Sequence, residues 1–248
     1  MQSNKTGNFA RKNNASEAEV DVSKIYSTGG FKIVYKGRFT GGVRAGQESI
    51  HKIFKTGSVF ESSYFASELK VVAKALQIIN NFNIDGIINK PIWLNEPTIW
   101  TFTEARGDFK NWQNTKCIVE PFIDNFGKFN SNSGWTPNNT SHWIEAMQAL
   151  SHYSYHASEG KVLLCDLQGG CYKNGFILTD PVIISTTNEY GPTDLGSEGI
   201  STFFSHHKCN KYCDSYWIKP GDKNIYFEIK RNTSMTLPTR NSRPSLPY

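Results

Sequence analysis

The apolar run Val162-Leu163-Leu164-Cys165, which ends on Asp166-Leu167-Gln168-Gly169-Gly170, constrains this chain more than any other stretch. Four apolar residues bounded by polar residues and glycine predict a short buried strand. The glycines that follow allow sharp turns and close approach of the backbone to a ligand. Asp166 and Gln168 are therefore expected at the mouth of a cleft, held by a rigid strand behind them. A second apolar strand, Phe176-Ile177-Leu178, leads through Thr179 to Asp180 and is halted by Pro181. Two strand-end carboxylates and an amide are oxygen donors, a set suited to a magnesium-dependent group transfer. Either motif alone reads as an ordinary Asp-Gly type of turn. With Gly191-Pro-Thr-Asp-Leu-Gly196-Ser-Glu-Gly199 and His207-Lys-Cys209-Asn-Lys-Tyr-Cys213 after them, they read as one functional region.

The last motif offers His207, Cys209 and Cys213 as zinc ligands, the two thiols one helical turn apart in spacing. A tetrahedral ion needs one ligand more, and a shell filled by protein would make the zinc structural. Five cysteines, an odd number in a chain of 248 residues, do not suggest a disulfide framework. The 38% hydrophobic content, with 13% aromatic, is ample for a large core. Of the net charge of +5, four positive charges fall in residues 229–248 (Lys230, Arg231, Arg240 and Arg243), a stretch with no acid. The body is thus near neutral and lacks the basic stripe that nucleic-acid binding requires. No apolar stretch is long enough for a membrane span, and the first residues lack a secretory apolar region. The sequence is read as that of a soluble, intracellular, cytoplasmic protein with no membrane segment and no specific nucleic-acid partner.

Taken in order, residues 1–24 read as a flexible polar leader and 231–248 as a disordered basic tail. Alternation of Phe31, Ile33 and Tyr35 with polar residues predicts a strand. Gly37, Gly41, Gly42 and Gly46 punctuate the turns that follow, either as hairpin glycines or as a loop whose backbone N–H groups can approach phosphate oxygens. In the predicted strand Ser49 to Lys55, Lys52 shares a face with Ile50 and Phe54. A lysine on a buried face is costly unless it meets an anion. Lys52 is therefore the candidate ligand of a nucleotide's α- and β-phosphates. Phe65, Leu69, Val72, Leu76 and Ile79 predict an amphipathic helix over 61–80, with Glu68 read as solvated in preference to pairing with Lys52. Strands follow over 98–104 and 117–123, a second helix over 141–158, and a closing strand through Ile225, Phe227 and Ile229.

Asp-Leu-Gln-Gly, Leu-Thr-Asp-Pro, the glycine-spaced loop at 191–200 and the His-x-Cys-Asn-x-x-Cys ending occur in an order that resembles the alpha-kinases, a family of atypical protein kinases. The resemblance runs roughly from Gly29 to Lys219. It implies an α+β, bilobal, protein-kinase-like fold over 25–230. A β-rich N-lobe would cover about 25–118 and a zinc-stapled, mixed C-lobe about 119–230, with ATP between them. It implies transfer of the γ-phosphate of ATP to Ser or Thr of a protein substrate, with Mg2+ catalytic and Zn2+ structural. On that resemblance Asp166 would orient the substrate hydroxyl and accept its proton or help hold magnesium. Gln168 and Asp180 would be the magnesium ligands. Lys32 stands where the family often has an arginine and would be a further contact to the nucleotide. Glu120, in Ile118-Val119-Glu120-Pro121-Phe122, would receive a hydrogen bond from the adenine amino group. Lys128 and Asn132 lie in a motif placed near the phosphates. His152 matches the family's fourth zinc ligand, with His156 its nearest rival. The chain has no His-Arg-Asp loop, no Asp-Phe-Gly and no Walker lysine. Asp180 lies fourteen positions after Asp166, a longer spacing than in most relatives. The alternative is a zinc-stabilised pseudokinase or interaction module. The retention of Lys52, Asp166, Gln168 and Asp180 speaks for an enzyme, and nothing in the sequence sets an oligomeric state.

Overall fold

The computed structural model describes residues 8–55, 61–104, 112–138, 141–231 and 234–237. Strands β1 (Ala10–Lys12), β2 (Ala15–Thr28), β3 (Lys32–Gly42) and β4 (Glu48–Phe54) precede helix α1 (Glu61–Ile84). Strands β5 (Ile92–Glu96), β6 (Thr98–Thr101), β7 (Lys116–Pro121) and β8 (Phe126–Lys128) lead to helix α2 (His142–Ala157). Strands β9 (Val162–Cys165), β10 (Gln168–Tyr172), β11 (Gly175–Thr179) and β12 (Val182–Ser185) are followed by helix α3 (Gly196–His206). The chain forms two compact units. One holds the described residues up to Gly127 together with Gln168–Asp180; the other holds Lys128–Leu167 and the described residues from Pro181 onward.

The first unit is built on two five-stranded sheets, ordered β2-β3-β4-β7-β6 and β1-β5-β11-β10-β8. Tyr35, Phe39, Ile53, Cys117 and Val119 form the core of the first sheet. Ala15, Ala18, Val20 and Val22 of β2 pack onto it. The expected leader therefore needs correcting: β1 and most of β2 lie inside it. The run Ala18-Glu19-Val20-Asp21-Val22 alternates apolar and acidic residues, which is a strand with one buried face, hidden in a polar composition. Residues 1–7 lie outside the described residues. Gly37, Gly41 and Gly42 are also not a loop but residues of β3. A β-carbon on Gly37 would press on the His51 ring, which lies buried across it and hydrogen-bonds Ser49 Oγ at 2.9 Å. In α1 the buried side is carried by Phe65, Val71, Val72, Ala75, Ile78, Ile79 and Phe82. Leu69, expected on that stripe, is 42% exposed because the stripe centres on Val72 and Ala75 instead.

In the second unit β9 pairs antiparallel with β12, and all four residues of each strand are buried. Leu163, Cys165, Val182 and Ile184 share one core with Tyr155 of α2 and Ile200, Phe203 and Phe204 of α3. Ser141 caps α2 by accepting from the Ile144 amide, which supplies one of the helix's orphan donors with a partner. The closing strand expected near Ile225 does not form. Ile225 is 63% exposed, while Phe227 packs against the core without a strand partner. The tail expected to be disordered is likewise ordered in part. Met235 and Leu237 pack against the same core, and the Leu237 amide donates to the Pro192 carbonyl at 2.9 Å. Residues 232–233 and 238–248 of that tail lie outside the described residues.

Candidate active site and metal centre

Strand register gathers the charged residues of the first unit. Val34 of β3 faces Lys52 of β4, so Lys32, two residues away, projects on the same side as Lys52. Lys52 in turn faces Ile118 of β7, and Glu120 is two residues further along that strand. Lys52 is 4% and Glu120 4% exposed. The Lys52 ammonium donates to Glu120 Oε1 at 2.9 Å, Asp180 Oδ2 at 2.6 Å and Thr179 Oγ1 at 3.2 Å. Lys32 donates to Asp180 Oδ1 at 3.3 Å and to Glu68 of α1. Burial works against both ammonium charges, yet the carboxylates outweigh it and hold both lysine pKa values above the ordinary one. Burial likewise opposes the Asp180 charge, and the two lysines more than offset it, leaving that carboxyl well below its usual range.

Several expected partners differ. Glu68, read as solvated, pairs with Lys32. Glu120, expected to meet an adenine amino group, has both oxygens engaged by the protein: Oε1 by Lys52, Oε2 by the Thr179 hydroxyl and by Asn95 Nδ2 at 3.2 Å. Thr179 and Asn95 thus belong to the site. Thr179 sits inside a recognised motif, whereas nothing local marks Asn95. Gln168 Nε2 donates to the Asp180 carbonyl at 3.4 Å, leaving its amide oxygen as a donor atom for a cation. The glycines after Gln168 serve strand packing, not a ligand. A β-carbon on Gly169, at φ +152°, would collide with the Ile177 carbonyl of β11, and one on Gly170 with the Asp124 carbonyl.

Asp166 belongs to the second unit, directly after β9, and is 1% exposed. Its φ of 57° is left-handed, as is Asp180's at 47°. Such backbone is uncommon outside glycine and tends to mark functional sites. The turn is held by Asn130, whose Oδ1 accepts from the Leu167 amide at 2.9 Å while its Nδ2 donates to Ser151 Oγ at 3.0 Å. Lys128, expected near phosphates, forms an ion pair with Asp166 Oδ1 at 2.8 Å, without hydrogen-bond alignment. Asp166 Oδ2 accepts a hydrogen bond from Ser234 Oγ at 2.7 Å. Asn132, also expected near phosphates, is fully buried and binds backbone instead. Its Nδ2 donates to the carbonyls of Thr193 at 3.0 Å and Met235 at 2.8 Å, and its Oδ1 accepts from the Met235 amide at 2.8 Å.

His152 of α2 comes together with His207, Cys209 and Cys213, their ligand atoms all within 4.8 Å of one another. Residues 207–213 follow α3 as an extended turn, not a helix, so the two thiols converge by a bend in the chain. Cys209 Sγ lies 3.6 Å from His152 Nδ1, and Cys213 Sγ 3.8 Å from His207 Nε2. Zinc bonds of about 2.3 Å to sulfur and 2.0 Å to nitrogen, at the tetrahedral angle, require roughly 3.5 Å between such atoms. His152 Nε2 lies 3.1 Å from the Ile218 carbonyl, the outer partner that sets a metal-binding tautomer. Burial lowers the pKa of His152 to about 4 and of His207 to about 3, which keeps both rings neutral. His156, the rival ligand, instead stacks on Trp217.

The sequence matches the alpha-kinase family over residues 27–213, well over half of the chain. Alpha-protein kinase vwkA of Dictyostelium discoideum is 41% identical over 97 residues, 38% of this chain and 15% of that protein. Transient receptor potential cation channel subfamily M member 6 of Homo sapiens is 35% identical over 196 residues, 75% of this chain. The chain thus spans a small part of these relatives, 9% in the second case. Among solved structures, an alpha kinase from Entamoeba histolytica is similar at a TM-score of 0.67 and 22% identity, over 87% of this chain and 84% of that one. The alpha-kinase domain of myosin-II heavy chain kinase A in complex with AMP-PNP follows at 0.63 and 24%, over 79% and 86%. The fold and the family match together make this chain a member of the alpha-kinase family.

Proposed function

We propose that this chain is an atypical serine/threonine protein kinase that transfers the γ-phosphate of ATP to a hydroxyl of a protein substrate. The observation that carries this reading is the buried cluster around Lys52. Lys32 and Lys52 face Glu68, Glu120 and Asp180, so the cluster is one positive charge short of balance. A divalent cation suits that deficit, and Gln168 and Asp180 supply the oxygen donors magnesium prefers. Magnesium would neutralise phosphate charge when bound. Lys52 and Lys32 bind the nucleotide's phosphate oxygens, exchanging one anionic partner for another at little desolvation cost. Asp166 accepts the proton of the attacking hydroxyl, its carboxylate oriented by Lys128 and by the turn that Asn130 holds. Myosin-II heavy chain kinase A, a structural relative, has been crystallised with ATP.

Zinc on His152, His207, Cys209 and Cys213 is structural in this reading, because four protein ligands leave no position for water. The cytoplasm is the compartment proposed, consistent with five cysteines none of which is in a disulfide. No helix among the described residues is long and apolar enough to cross a membrane. The test is incubation with γ-labelled ATP, magnesium and a generic basic protein, followed by phosphoamino-acid analysis. Label on serine and threonine, lowered at least roughly 10²-fold by Asp166→Asn, is expected. Asparagine keeps the left-handed backbone tolerable at that position. A folded, zinc-loaded chain that labels nothing would make this a pseudokinase.

A further inference from the structure

Strand register builds a charged recess on one face of the sheet β1-β5-β11-β10-β8. Arg11 of β1 faces Asn95 of β5, and Trp93, two residues before Asn95, faces Ile177 of β11. Ile177 faces Gly170 of β10, two residues before Tyr172. Arg11, Trp93, Ile177 and Tyr172 therefore project from the same side of the sheet. With Asn174 at the tip of the β10–β11 hairpin and Arg44 in the turn between β3 and β4, they line a recess of about 590 Å³. Every lining residue lies in the first unit, and none is acidic. Arg11 also precedes residue 27, where the match to the family begins.

Neutral acceptors hold both guanidinium groups in place. Arg44 donates through Nη2 to the Lys12 carbonyl at 2.8 Å and through Nη1 to Gln47 Oε1 at 2.9 Å. Arg11 donates through Nη1 to Asn95 Oδ1 at 3.0 Å, the Phe122 carbonyl at 3.2 Å and the Pro121 carbonyl at 3.3 Å. Among the described residues its Nε and Nη2 have no hydrogen-bond partner, and neither arginine has a carboxylate within 4 Å. Burial lowers the Arg11 pKa, and Arg44 nearby lowers it further. Two guanidinium charges held together without a counter-ion are a standing cost, which a bound dianion removes. The aromatic wall is fixed too: Tyr172 Oη accepts from the Asp124 amide at 2.9 Å.

We propose that this recess is a ligand site for a small phosphate monoester carried on a flat ring. A guanidinium fork matches phosphate oxygens two at a time. A phosphate dianion offsets both arginines, where a single carboxylate offsets one. Trp93 and Tyr172 supply the surface on which the ring lies, and Asn174 an amide for its polar edge. The recess shares no lining residue with the Lys52 cluster, and the inference does not rest on the kinase reading.

Isothermal titration of the full chain tests it, with phenyl phosphate, inorganic phosphate and benzoate as probes. Phenyl phosphate should bind one equivalent per chain, saturating below about 1 mM. It should bind at least roughly fivefold more tightly than inorganic phosphate or benzoate. Arg11→Met and Arg44→Gln should each weaken it roughly 10–100-fold. Arg44→Lys, which keeps the charge and loses the fork, should weaken it less, and Lys32→Met should leave it unchanged. Thermal melts check that each variant is folded; if Arg11→Met is not, Arg44→Gln on its surface turn decides the question. No saturable binding overturns the inference. Binding that survives the arginine substitutions but is lost in Lys32→Met puts the phosphate on the nucleotide cluster, which overturns the inference and leaves the kinase reading standing. Inorganic phosphate binding as tightly as phenyl phosphate overturns the ring-bearing ligand class.

Discussion

Replacing Lys52 should unsettle the fold as well as the activity. A lysine that served as a phosphate contact alone could be replaced with the fold intact. The structure places its ammonium 2.9 Å from Glu120 and 2.6 Å from Asp180, with lysine and Glu120 side chains each 5% exposed. Lys52→Met keeps the stem's packing and deletes the charge, leaving Glu120 buried without a counter-ion. Breaking a buried pair from one side costs about 3–5 kcal/mol. The low end applies, because Asp180 keeps Lys32, and Glu120 keeps Thr179 and Asn95. About 3 kcal/mol corresponds to a fall in Tm of roughly 6–12 °C for a chain of this size. Differential scanning fluorimetry at pH 7 reads it directly. Adding Glu120→Gln to Lys52→Met removes the orphaned charge and should restore more than half of the loss. A Tm for Lys52→Met within about 2 °C of the parent, or no recovery in the double variant, would refute the reasoning.

Metal analysis of protein purified without added metal should find one zinc per chain. Cys209→Ser should lose that zinc and lower Tm before any kinetic constant changes; a stable, active, zinc-free chain contradicts this. His51, buried against Ser49, has its pKa lowered by burial from 6.5 to about 4. Between those values the unfolded chain binds a proton that the folded chain refuses, so stability falls as pH drops from about 6.5 to 4, by on the order of 3 kcal/mol. His51→Leu should flatten that part of the Tm–pH curve relative to the parent, and an unchanged slope would rule His51 out as its source. Asp180→Asn should raise the magnesium concentration needed for half-maximal transfer, whereas Asp166→Asn should slow transfer at unchanged magnesium dependence. Superimposable titrations of the two variants argue against separate roles.

What could be read in advance follows from how local each signal is. The strand before Asp166 is a contiguous apolar run, and Lys52 shares a face with Ile50 through simple alternation; both readings need only a few residues of chain. The metal set needs one non-local residue, His152, which only a family resemblance could nominate. Only the same resemblance points Glu120 and Lys32 at a nucleotide, and their partners Thr179, Asn95 and Glu68 come from other strands and a helix. No periodicity reports which face a distant element presents. The first strands carry a weak signal because Ala18, Val20 and Val22 are small apolar residues in a polar stretch. Order in the tail has no local signal because the contacts that hold Met235 and Leu237 lie on Asn132 and on the α3 core, about a hundred and about forty residues back in the chain.

The central claim is that Lys52 and Lys32 are phosphate ligands resting on carboxylates. Isothermal titration of ATP with magnesium, and of adenosine, into the parent chain, Lys52→Met and Lys32→Met tests it most directly. A charge-assisted contact is worth about 1.5–3 kcal/mol, so each variant should lose roughly 10–100-fold in ATP affinity with adenosine affinity unchanged. ATP affinity that survives both substitutions, or ATP and adenosine affinities that fall together, would contradict it.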